Sequence, residues 1–208
     1  YNDPDWLRDA ATAAWRAGLE GEARELARQY AQAYSDMPRR QAMAEMLLYS
    51  EWHRSDWAVD TVLKLLQTAQ LDDTLAWDLD SNGLMTIAAR SSRMPQLVDR
   101  LLAIVDGAVR RNEIERAAAW LSLAGAGLRE TLPAEIRQAV VRQFQTRLGG
   151  YLNGPLKDST LEVLIQPAEQ GVITELLGPL YLGKVREDGG NYVNWRIREY
   201  LFARGMWA

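Results

Sequence analysis

Two stripes of small residues at helical spacing open this chain, and they leave it few ways to fold. Trp6, Ala10, Ala14 and Ala17 recur on one face of a 3.6-residue period, and Ala23, Leu26, Ala27 and Tyr30 recur on a second. That period predicts helices over 6–18 and 23–34, joined by the short turn Leu19-Glu20-Gly21-Glu22. Alanine stripes let two helix axes approach closely, while Trp6, Trp15 and Tyr30 supply bulk around the seam. Asp3-Pro4 is a helix start: the carboxylate caps free amides, and proline fits the first turn.

Weaker hairpins follow. Ala42, Met46 and Tyr49, then Val59, Val62, Leu63 and Leu66, predict a second pair turning at Arg54-Ser55-Asp56. A third uses Leu75, Leu79 and Ile87, then Leu97, Leu101, Ile104 and Ala108, with its turn between Ser91 and Pro95. Arg111-Asn112-Glu113 then leads into Ile114, Ala117, Ala118 and Leu121, with Asn112 and Glu115 at capping-box spacing. Glu20, Trp57 and Met94 sit 37 residues apart after their turns, a period suited to a two-helix repeat. A single such pair cannot bury its apolar face alone, so pairs stack.

These residues resemble the tetratricopeptide-type repeats. Gly18 before the first turn and Ala23 after it stand where that family prefers Gly and Ala. Tyr30 matches a preferred aromatic position, and Asn112-Glu113-Ile114-Glu115-Arg116-Ala117 resembles the same turn. Asp60 departs from the pattern where the family has alanine, and the closing proline arrives late, as Pro38. The resemblance covers 3–127. It implies an all-α, right-handed superhelix of antiparallel hairpins with a concave face that binds another protein.

After about residue 130 the texture changes. Pro133 opens a helix with Ile136, Val140, Phe144 and Leu148 on one stripe, with Gly149-Gly150 as its expected stop. Gly154-Pro155 is a loop, and Ser159 to Glu162 has capping-box spacing. Pro167 and Gly178-Pro179 divide the next stretch, Tyr181 to Val185 has a weak strand pattern, and a last helix is expected over 191–203. The organisation is therefore read as hairpin repeats over 1–130 and an irregular helical cap over 131–208, packed on the repeats. The start at Tyr1 is read as the mark of an excised or processed piece.

Composition narrows the function. Net charge is -4 with no basic run, which argues against nucleic acid and against an anionic membrane surface. No apolar run approaches the roughly 20 residues that cross a bilayer. Cysteine is absent, removing thiol nucleophiles and thiolate metal sites. Arginine supplies nearly all the positive charge, with lysine only at 64, 157 and 184, which we read as the mark of a GC-rich bacterial genome.

Chemistry-bearing patterns are few. His53, the single histidine, ends a helix, where a cation suits the carbonyl end; Glu51 or Asp56 would orient it if it acted as a base. Asp78-Leu79-Asp80-Ser81-Asn82-Gly83 matches the first half of a calcium loop, but its twelfth position is Ala89, not an acid. The same stretch also reads as helix, with Asp72-Asp73 capping its start. No cofactor is implied.

If the first helix of each pair lines the groove, partner-binding candidates are Arg8, Trp15 and Arg16, then Glu45, Tyr49, Trp52 and His53, then Trp77, Asp78 and Asn82. Trp195, in the aromatic and Arg-rich stretch 192–204, is a further interface candidate. The expected function is a non-enzymatic scaffold, in the setting of a bacterial assembly or export system such as exopolysaccharide secretion. The alternative is an all-helical enzyme or accessory domain with an acidic groove acting on a polymer such as a glycan.

Overall fold

A computed structural model describes residues 3–165 and residue 176. Trp195, the 181–185 strand pattern, the expected breaks at Pro167 and Gly178-Pro179, and the terminal helix lie outside these residues. The described residues are helical, with no strand. The chain divides into two compact units after Leu97.

The first unit contains α1 (Pro4–Arg16), α2 (Glu20–Tyr34), α3 (Pro38–Glu51), α4 (Ser55–Thr68), α5 (Asp73–Ser81) and α6 (Leu84–Ala88). It also includes the first turn of α7 (Met94–Arg110). Asp3 caps α1 as expected, its Oδ1 accepting from the Asp5 amide at 3.1 Å. The seam between α1 and α2 is built from Leu7, Ala11 and Ala14 against Ala23, Ala27 and Ala31, all buried. The α1 stripe is therefore turned by one residue from the expected one, and Trp6 is 58% exposed. Leu7 is the reason: burying a leucine between the helices satisfies the seam without forcing an indole into an alanine-width gap.

Helix α3 opens on Pro38, so that proline starts a helix and does not close a repeat. Met46, Leu48 and Tyr49 are buried on α3, which packs on α4, where Val59, Val62, Leu65 and Leu66 are buried. The third pair departs from a simple hairpin. Its expected first helix is broken at Gly83, which follows the Asn82 cap of α5, takes φ +70° in the left-handed region and leads into α6. Asp72 caps α5 as expected, accepting from the Leu75 amide at 2.8 Å.

One turn conformation recurs. After α1, the Gly18 amide bonds to the Trp15 carbonyl and the Leu19 amide to that of Ala14. After α3, the His53 amide bonds to Ser50 and Arg54 to Tyr49; after α7, Asn112 bonds to Val109 and Glu113 to Ala108. Gly18, His53 and Asn112 all have positive φ, at 78°, 57° and 58°. These paired bonds are the Schellman arrangement, which satisfies the last carbonyls of a helix. The turn is thus shared by positions 18, 53 and 112; of the 37-residue series, Glu20 and Met94 are the first residues of α2 and α7, and Trp57 is the third of α4. Asn112 closes α7; it does not cap α8, whose N-cap is Glu113.

The second unit holds the rest of α7, α8 (Ile114–Ala126), the 3₁₀ turn Gly127–Arg129, α9 (Ala134–Leu152) and α10 (Lys157–Ile165). Residue 130 lies between the 3₁₀ turn and α9. Helix α9 runs through Gly149 and Gly150 instead of stopping there. Each glycine costs a helix about 1 kcal/mol. Against that, Tyr151 and Leu152 are buried, and the Tyr151 hydroxyl donates to Asp106 Oδ1 at 2.6 Å. Arg147, one turn earlier, bonds Asp106 at 3.1 Å and Asp99 at 2.9 Å, clamping α9 to α7. The expected capping box at 159–162 lies inside α10. There the buried Thr160 hydroxyl donates to the Leu156 carbonyl at 2.7 Å, a bond made back along the helix.

Candidate functional site

The first unit carries an open groove of about 480 Å³. Arg8 enters it from α1, Tyr30 and Tyr34 from α2, and Asp78 and Asn82 from α5 and its end. Helix α3 supplies the floor and one wall through Arg39, Arg40, Met43, Ala44, Leu47, Leu48 and Glu51. On α3 these residues recur at three- and four-residue steps, so they lie along one face. Leu47 is 39% exposed and Tyr34 58%, so the groove presents apolar surface to solvent.

Charge pairing sets its shape. Arg8 Nη2 donates to Glu51 Oε1 at 2.6 Å, tying α1 to the end of α3. That contact raises the Arg8 pKa above its ordinary value, chiefly through the hydrogen bond. Arg39 bonds Asp72 at 2.8 Å and lies 3.5 Å from Asp78, tying the start of α3 to α5. Burial pushes the Tyr30 phenol up, so the hydroxyl presented to the groove is neutral. Asn82 turns its amide back, donating to the Asp78 carbonyl at 2.7 Å.

Of the residues expected at a partner site, the groove brings together Arg8, Asp78 and Asn82. Glu45, Tyr49 and Trp52 are on the opposite face of α3 and serve the core. Trp52 stacks on Trp15 with centroids 5.8 Å apart and planes 11° apart, and its indole N–H donates to Thr12 Oγ1 at 3.3 Å. Tyr49 packs on Trp52 and Trp57, and its hydroxyl donates to Glu45 at 2.7 Å. Burial, then that bond, pushes the Tyr49 phenol far above its ordinary value. Arg54 closes the cluster over the Trp15 and Trp57 rings at 5.1 and 4.3 Å. Trp15 is half-buried in this cluster, and Arg16 is exposed outside the groove.

His53 is exposed at the left-handed position of its turn, a conformation that histidine tolerates better than most residues. Trp77 is 66% exposed but does not line the groove.

The calcium-loop pattern is overturned. Asp78 and Asp80 lie within α5, where successive side chains point about 100° apart instead of converging, and Asp78 faces Arg39. No group of three His, Cys, Asp or Glu residues among the described residues is placed to hold a metal ion. Among the same residues, no helix is long and apolar enough to cross a membrane.

Sequence reading missed Tyr30, Tyr34, Arg40, Met43 and Leu47 as groove residues. It selected α3 but chose positions 45, 49 and 52 over 43, 47 and 51, a shift of one or two residues that swings a side chain across the helix axis. The available signal was the i, i+4 pairs Tyr30–Tyr34 and Met43–Leu47 beside arginine. Compared with protein-family models, curated proteins and solved structures, the chain matches none.

Proposed function

We propose that this chain is a non-enzymatic binding module whose first unit holds a segment of another protein in the groove along α3. The observation that carries the reading is that exposed Tyr34 and Leu47 sit in a concavity lined by residues of α1, α2, α3 and α5. Its volume is within the range typical of ligand clefts. An aliphatic and aromatic floor with a charged rim suits a peptide whose apolar side chains anchor it. We further propose that the hairpins belong to a right-handed, tetratricopeptide-like superhelix. The shared turn at Gly18, His53 and Asn112 supports that reading.

The enzymatic alternative has weaker support. A groove acting on a glycan needs carboxyl groups free to approach a scissile bond. Glu51 is held by Arg8, and Asp78 lies against Arg39.

A photo-crosslinking amino acid at position 47, installed in the natural host, tests the reading. It is expected to capture a discrete protein that the same group at exposed position 13 on α1 does not. Equal capture from both positions, or none from position 47, overturns it.

A further inference from the structure

We infer that the segment held in the groove is acidic: an Asp or Glu side chain pairs with Arg40 while an apolar neighbour sits on Met43 and Leu47 beside Tyr34. This deepens the binding reading above and rests on it. Three guanidinium groups line the groove. Arg8 is closed by Glu51 and Arg39 by Asp72 and Asp78. Arg40 is exposed and has no ion-pair partner among the described residues. It lies in the first turn of α3, which carries no acidic residue to offset it.

Among the described residues, the groove therefore presents one uncompensated positive charge at the head of an apolar floor. Arg40, Met43 and Leu47 follow one another along a single face of α3, with about 10 Å of helix rise from first to last. A guanidinium binds a carboxylate through two parallel N–H donors, so it rewards an acid at one defined point of the ligand. A lysine-bearing or arginine-bearing segment meets repulsion at that same point. Nucleic acid offers anionic charge but no aliphatic side chain for Leu47, and the chain's net charge of -4 opposes a polyanion.

The test pans a displayed library of random peptides on the full chain and discards those that also bind the Leu47→Asp variant. Leu47 and Arg40 are both exposed, and circular dichroism checks that each variant keeps its helices. The expected result is enrichment of peptides with Asp or Glu beside Leu, Met or an aromatic residue. A synthetic peptide of that kind loses about tenfold or more in affinity to Arg40→Glu. Replacing its acid with Lys restores binding to that variant.

Enriched groove peptides without acids, or an affinity that Arg40→Glu leaves unchanged, overturn the acidic inference and leave the groove reading standing. Recovery of no Leu47-dependent peptide overturns both.

Discussion

Asp56, in the first turn of α4, accepts the backbone N–H of Ser92 at 2.9 Å, which ties that helix to the loop ahead of α7. The same oxygen takes the hydroxyls of Ser91 and Ser92, and the Ser91 side chain is buried. The Ser91 hydroxyl is the main reason the Asp56 carboxyl is held below its ordinary pKa.

A pH dependence follows from the sign of that shift. A carboxyl with a lowered folded-state pKa stabilises fully above its unfolded value, near pH 4, and the stabilisation is lost as pH falls through the folded value. Asp56 is exposed, so we assign the contact about 1 kcal/mol after allowing for solvent. Asp56→Ala is expected to lower the urea midpoint at pH 7, and its gap from the wild-type chain is expected to narrow as pH falls below about 4. A gap that stays constant as pH falls would count against a charged contact.

Gly125 permits the approach of α8 and α10. A Cβ added there would overlap Val163 Cγ1. Gly125→Ala should therefore cost about 1–3 kcal/mol through overpacking. Adding Val163→Ala should recover part of the loss, because it removes the atom that clashes. Thermal melts of the two single variants and the double variant measure this coupling, and strict additivity would show that the clash is not the cause.

The aromatic residues separate into core and surface. Trp52 is 5% exposed and stacked on Trp15, so Trp52→Ala should cost about 3–5 kcal/mol. Trp77 is 66% exposed, and Trp77→Ala should stay within about 0.5 kcal/mol. Denaturant titration of both variants checks the contrast, which similar losses would contradict.

His53 and Asn112 hold positive φ with side chains that glycine would not need. His53→Gly and Asn112→Gly should each stabilise by up to about 1 kcal/mol, because removing Cβ relieves left-handed strain. His53→Val should destabilise, since a branched Cβ suits that region least. Melting temperatures ordered Gly, His, Val at position 53 are the expected series; any other order would mean that the turn is not strained there.

Much of the helical inventory was legible before any coordinates. The Asp3 and Asp72 caps, the Val140–Phe144–Leu148 stripe and the turn at 111–113 rest on interactions within a few residues of each other, and such interactions are written locally. The exceptions have equally physical causes. Gly149-Gly150 reads as a stop because glycine lowers helix propensity, yet burial of Tyr151 and Leu152 outweighs that local cost. The alternating oxygens of 78–83 read as a loop or a helix, and only the backbone at Gly83 chooses between them.

The groove was half visible. Arg8, Asp78 and Asn82 could be named from position alone, but α3 is apolar around much of its circumference. Nothing in its period says which face meets α4 and which faces water.

From the linear chain alone came the all-helical class and the starts of several helices, because capping, propensity and amphipathic period act over one or two turns. Tertiary structure alone decided that Trp15, Tyr49 and Trp52 pack together while Tyr34 and Leu47 line an open surface. That outcome depends on how neighbouring helices rotate to fit one another's side chains, and contacts between residues tens of positions apart leave no periodic trace.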